Sequence, residues 1–199
     1  MYGHSGRGTR GWQMLLAGLL PLLLLGCSIL PTAAHAQDRA PREQMASVRL
    51  DSIATGYQRG GSLGFVLRDT QMDELLYHRN QGSERGVIWS ARFVSRWPLT
   101  EDQLDRWSAQ VIGLLADQVN SDLQAGGWER LSATDVGDRR VAYRYTLVTS
   151  SGAPAGEATV VVFSRGDEVG LTGTAAVGTR APIDGVGLAR LMDTQGGRS

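Results

Sequence analysis

Ser62 lies inside Gly60-Gly61-Ser62-Leu63-Gly64, the one stretch of the chain that spells a nucleophile motif. GxSxG describes an elbow in which a sharp strand-to-helix turn presents a serine to a histidine that an acid orients. The only later histidine is His78, and the serine precedes an apolar run, Leu63–Leu67, that reads as a strand rather than a helix. A nucleophilic serine needs a base within hydrogen-bond reach and a third group behind that base. Five extended residues span about 16 Å, so His78 reaches Ser62 only if the Asp69–Tyr77 segment folds back. Ser62 therefore reads as a loop serine and His78 as a surface or loop histidine, and no catalytic residue is assigned.

The carboxylates form two groups, Asp73-Glu74 and Glu101-Asp102-Asp105. Paired carboxylates can do glycosidic acid–base work when their environments drive their pKa values apart. Glu101, Asp102 and Asp105, however, stand at the start of a helical pattern, where acids complement the helix dipole. Asp73-Glu74 reads as solvated surface. A lone histidine without a cysteine or a second histidine cannot make a typical zinc site, so no metal ligand is assigned. Gly6-Arg7-Gly8-Thr9-Arg10-Gly11 has the spacing of a dinucleotide loop, but no strand delivers it to a helix N-terminus. No cofactor is expected. Arg165-Gly166-Asp167 spells an adhesion tripeptide, yet glycine and aspartate between two β-runs make a hairpin turn.

Four of the five tryptophans fall between positions 89 and 128. Trp89 and Trp107 fit apolar faces. Trp97 and Trp128 sit at element ends, where an exposed indole can stack on a ligand or partner. They are the candidate contact residues.

All 20 basic residues are arginine, 20 acids balance them, and lysine is absent. That composition excludes a P-loop or Schiff-base lysine and gives no charge excess for nucleic acid. Residues 1–36 read as a signal peptide, with Arg7 and Arg10 ahead of the apolar run Met14–Leu25 and no acid before Asp38. Two processing sites compete. Ala34-His35-Ala36 suits a signal peptidase, and Leu24-Leu25-Gly26-Cys27 resembles a bacterial lipobox that would lipidate Cys27. The chain is expected to be exported, either secreted or anchored as a lipoprotein, with membrane contact only through that segment or a lipid on Cys27. Residues 37–46 read as a linker, 47–193 as one domain and 194–199 as a flexible tail.

The domain's elements follow from periodicity. Residues 43–56 fit a weak helix. Val87, Trp89, Ala91 and Phe93 alternate as a strand that Pro98 ends. Thr100 to Gln103 is a capping box. The stripe Leu104, Trp107, Val111, Leu114, Leu115, Val119 and Leu123 predicts a helix that Gly126-Gly127 stops. Val141–Val148, Ala158–Phe163 and Val169–Val177 predict three strands joined by a Ser150–Gly156 loop and a tight Gly166-Asp167 turn. Pro182 is expected to open a final helix.

Helices at both ends of three hairpin-linked strands predict an α+β fold, an antiparallel sheet of about five to six strands with helices packed on it. The meander Val141–Val177 and the closing Ala181-Pro182-Ile183-Asp184 resemble the PsbP-like α/β/α sandwich of exported accessory proteins, over roughly residues 47–193. The resemblance implies a sandwich fold and no site residue. The expected function is a non-enzymatic accessory or binding domain for an envelope protein or small ligand. A lipid-anchored structural protein or an exported hydrolase are the alternatives.

Overall fold

The computed structural model describes residues 50–68 and 70–193. Seven strands form one antiparallel sheet: β1 (Gln58–Arg59), β2 (Asp73–Gln81), β3 (Glu84–Val94), β4 (Leu123–Arg130), β5 (Arg139–Thr149), β6 (Pro154–Arg165) and β7 (Glu168–Val177). Their order across the sheet is β1-β2-β3-β7-β6-β5-β4. Helix α1 (Glu101–Val119) links β3 to β4 across one face, and α2 (Gly185–Asp193) closes the other face beside a helical segment at 50–53. The α+β expectation holds, with seven strands in place of five to six.

The long strands are those with strict alternation. On β3, β5, β6 and β7 the residues Trp89, Val141, Val160 and Leu171 turn toward α1 and are buried. Leu115 on α1 seats over Gly173, where a Cβ would come within 2.5 Å of Leu115 Cδ1. Glycine at 173 is thus the hole that receives the central knob of the core. The buried side of α1 is Leu104, Ser108, Val111, Ile112, Leu115, Ala116 and Val119. Leu114 and Trp107 are only half-buried, so the stripe is turned slightly from the one expected. The capping box forms as expected, with Gln103 N–H donating to Thr100 Oγ1 and Thr100 N–H donating to Gln103 Oε1.

The structure departs from the sequence reading in several places. Leu63–Leu67 is not a strand: Gly60, Gly61 and Gly64 all take positive φ, which breaks the extended run, although Leu63 and Phe65 are buried. The polar-looking Asp73–Gln81 is instead a nine-residue strand paired with β3 through a Gly82 turn at φ 60°. Helix α1 ends at Val119, before Gly126-Gly127, because Asn120 is extended, and its side-chain Oδ1 accepts from Asp122 N–H. Leu123 and the glycine pair then belong to edge strand β4, with a bulge between Ala125 and Trp128. There a side chain on Gly126 would meet Val148 Cγ1 at 2.9 Å, so this glycine lets strands approach rather than stopping a helix. Finally, α2 begins after Pro182: Asp184 Oδ1 accepts Gly187 N–H at 2.7 Å, placing the cap at Asp184.

The second face is held by polar contacts as well as apolar ones. Asp193, its side chain 6% exposed, takes two hydrogen bonds from Arg165 at 2.7 and 2.6 Å and a third from Gly137 N–H. The Arg165 guanidinium holds the Asp193 carboxyl below the usual carboxylate range, against the opposing effect of burial.

Candidate functional site

Glu74 is the centre of the polar cluster around the Gly60–Gly64 stretch. On β2 it stands opposite Ala91, facing the α1 side. Its Oε1 accepts Trp89 Nε1–H at 2.6 Å and Leu63 N–H at 2.7 Å, and its Oε2 accepts Ser62 Oγ–H at 2.9 Å. The reading of Asp73-Glu74 as solvated surface is therefore corrected for Glu74. A buried indole N–H needs an acceptor, and the glycine-rich loop needs an anchor; one carboxylate supplies both. Ser62 donates to Glu74, while His78 lies farther along β2, paired with Gln58 of β1 and Val87 of β3. With three donors already on it, Glu74 is a structural acceptor for the loop.

The Arg165-Gly166-Asp167 turn forms as expected, with Gly166 at φ 60°. Arg165 is spent on Asp193, so the tripeptide does not present a free guanidinium. Among the described residues no group of three or more histidines, cysteines or acids could hold a metal ion. No described helix is long and apolar enough to cross a membrane. Cys27, the Gly6–Gly11 loop and both cleavage motifs lie outside the described residues.

Trp97 and Trp128 are the two most exposed tryptophans described, at 76% and 64%. Trp97 lies in the connection from β3 to α1, where Ser95 Oγ bonds to its backbone and turns the chain. Trp128 is on β4 beside Tyr143 of β5, ring centroids 5.2 Å apart at 84°. That edge-to-face contact fixes the indole and leaves its surface open to solvent. Tyr143 is itself fixed, donating to Asp105 Oδ1 of α1 at 2.7 Å. Burial and that hydrogen bond push the Tyr143 phenol up to about 12. Asp105, read from sequence as a helix-start charge, is here a tether between α1 and β5.

Arg130 is two residues beyond Trp128 and forms an ion pair with Glu101 in the first turn of α1. It also lines a cleft of about 530 Å³ between that turn and the 131–138 loop, with Ser132, Thr134, Arg139 and Arg140. The acids around this cleft already have partners: Glu101 has Arg130, Asp138 faces Arg165 at 3.9 Å, and Asp135 takes Arg190 at 2.7 Å. Arg139 instead donates to the Leu99 carbonyl, and Arg140 to the carbonyls of Val136 and Gly137. Among the described residues neither is ion-paired with a carboxylate, although Arg140 acts through space on Asp135. Consecutive on β5, the two side chains reach opposite faces of the sheet, Arg139 toward the start of α1 and Arg140 toward the 131–138 loop on the α2 side. Arginine spacing along the chain carried no sign that these two side chains would end on backbone carbonyls, because the nearby acids are paired with arginines distant in sequence.

No family model, no curated protein and no solved structure matches the chain.

Proposed function

We propose that the protein is an exported, non-enzymatic binding domain whose ligand sits at the β4 edge, across Trp128 and the cleft at the start of α1. The observation that carries this reading is the exposed Trp128 indole, held edge-to-face by Tyr143, beside an open cleft at the start of α1 whose Arg139 is bonded to a backbone carbonyl and not to a carboxylate. Binding sites combine an apolar surface with a few polar groups that fix orientation, and this edge supplies both. The engagement of Ser62 with Glu74, rather than with His78, also favours binding over hydrolysis. Helices on both faces of the sheet fit the PsbP-like sandwich that the element order resembles, and an accessory role fits with it.

Saturation-transfer NMR against a panel of sugars, amino acids, nucleotides and short peptides tests the site. Ligands that gain signal from the wild-type protein should lose it with Trp128→Ala. A panel in which no ligand responds to Trp128→Ala overturns the reading. Export is tested by the intact mass of the protein recovered from its own cells: a chain beginning at Gln37 or at a lipidated Cys27 is expected. One still beginning at Met1 sinks export by either route.

A further inference from the structure

β4 is the last strand in the sheet order, so one side of its backbone has no neighbouring strand. The ladder decides which groups lie there. Leu131 N–H donates to the Ala142 carbonyl at 2.8 Å, and Glu129 stands opposite Arg144 in the same register. Alternate residues of an antiparallel pair bond to the partner strand, so Leu131 and Glu129 turn their main chain toward β5. Trp128 and Arg130 turn theirs away, leaving two N–H and two C=O groups at an exposed edge. A row of unpaired donors and acceptors is a template for another extended strand. β4 contains no proline, the chain contains no lysine, and the bulge lies before Trp128 rather than within this stretch.

Going beyond the ligand reading above, we propose that a second copy of the chain adds to this edge, its β4 antiparallel to the first about a two-fold axis at Glu129. Outward residues must meet outward residues, and pairing Trp128 with Arg130 of the second copy achieves that at both positions. The register is complementary in its side chains as well. Directly opposite residues share a face of the sheet, so each exposed Trp128 indole meets an Arg130 guanidinium of the other copy. Arg130 is held by Glu101 in a pair more than half exposed on both sides, so turning the guanidinium onto the indole costs little. On the opposite face Glu129 meets its own copy, and each carboxylate is already neutralised by Arg144 at 2.7 Å. The far edge of the sheet does not repeat the contact: β1 has two residues, and Gly60 N–H takes the Leu76 carbonyl beside it. Association therefore closes at a dimer rather than growing into a fibre.

Sedimentation velocity of the protein as the cell processes it, from micromolar to millimolar concentration, tests this together with amide hydrogen exchange. A monomer–dimer equilibrium is expected, with the Trp128 and Arg130 amides exchanging more slowly as dimer forms. Trp128→Ala and Arg130→Ala should each weaken association about tenfold, since the two-fold axis removes the contact twice. Arg130→Pro removes an outward N–H that the fold does not use, so it should abolish the dimer. Unchanged unfolding midpoints of the dilute alanine variants separate loss of contact from loss of fold, and those variants decide the matter if the proline variant does not fold. A monomer at every concentration overturns the inference, as does a dimer in which the two amides are not slowed. Protection of those amides by an added extended peptide, with the protein alone monomeric, overturns the second copy as occupant. Trp128-dependent ligands seen by NMR bear on the binding-domain reading alone: a dimer without them sinks only that reading, and a monomer with them sinks only this inference.

Discussion

The two ends of the sheet order each carry a tryptophan, a carboxylate and a loop, and they use them in opposite ways. Near β1 and β2, Glu74 gathers the Trp89 indole, the Leu63 amide and the Ser62 hydroxyl, so polar groups are consumed inside the fold. Along β4, Trp128 points outward, and Arg139 and Arg140 are braced only by backbone carbonyls. At the first end hydrogen-bonding capacity is used up inside the fold; at the second an aromatic surface is left open. A polar cluster whose members satisfy each other is scaffold, and one held in place with spare capacity is available to a ligand.

Both ends hang on the layer between α1 and the sheet, so damage there should cost most. Leu115→Ala removes the side chain that fills the space above Gly173. It should destabilise by about 2–5 kcal/mol in denaturant unfolding, the range for truncating a fully buried leucine. A change under about half a kcal/mol would mean that α1 does not seat on Gly173. Leu114, half-buried on the same helix, should cost less.

The comparison itself is broken or upheld by Glu74→Ala set against Trp128→Ala. Losing Glu74 strands the Trp89 Nε1–H and the Leu63 amide, and an unsatisfied buried donor costs roughly 1–3 kcal/mol. We expect about 2 kcal/mol of destabilisation from Glu74→Ala. Trp128→Ala should stay within about half a kcal/mol, as surface changes do. Equal losses from the two variants would erase the distinction between a spent cluster and an open one.

That distinction was only half legible in the sequence. The alternation of Val87–Phe93 and Val141–Leu147 placed the central strands, and Thr100-Glu101-Asp102-Gln103 placed the start of α1. Strand β2 escaped because Asp73–Gln81 has only Leu75, Leu76 and Tyr77 as apolar residues, and its neighbour β1 is two residues long. Glycines misled in both directions. Gly126 permits close strand approach where a helix stop was expected, and Gly64 interrupts a run that looked extended. Trp128 was singled out as an aromatic at an element end, although it lies within β4. The cleft at the start of α1 was not, because its charge balance depends on Arg190 and Arg165 drawing Asp135 and Asp138 away, contacts 55 and 27 residues apart in sequence.

Titration sharpens the same contrast at two tethers. Asp193 has a lowered carboxyl pKa in the fold, so its contribution is complete above the ordinary value of 3.8 and is lost as pH falls below it. Asp193→Asn should flatten the acid limb of a stability–pH curve. Tyr143 has the reverse sign. Its phenol is raised from 10 to about 12, so its contribution is complete below pH 10 and is lost as pH rises from there toward 12. Tyr143→Phe should flatten the alkaline limb and leave the acid limb unchanged. An alkaline limb identical in wild type and Tyr143→Phe would show that the phenol beneath Trp128 is not held by Asp105.

The smallest effect should come from Ser62→Ala and His78→Ala. Ser62 is exposed, and its hydroxyl is one of three donors on Glu74; without it Trp89 and Leu63 still hold the carboxylate. Removing one exposed hydroxyl should change stability by less than about 1 kcal/mol. His78 makes its backbone pairings on β2 regardless of its side chain, so His78→Ala should be comparably mild. Neither variant should alter ligand binding at the β4 edge, since both residues lie on the far side of β3, β7 and β6 in the sheet order. The decisive measurement is a fluorophosphonate probe on the wild-type protein. A serine hydroxyl that donates its hydrogen bond to Glu74, with no imidazole bonded to it, should not be labelled. Labelling of Ser62 that disappears in His78→Ala would make the Ser62 end the reactive one and reverse the contrast between the two ends of the sheet.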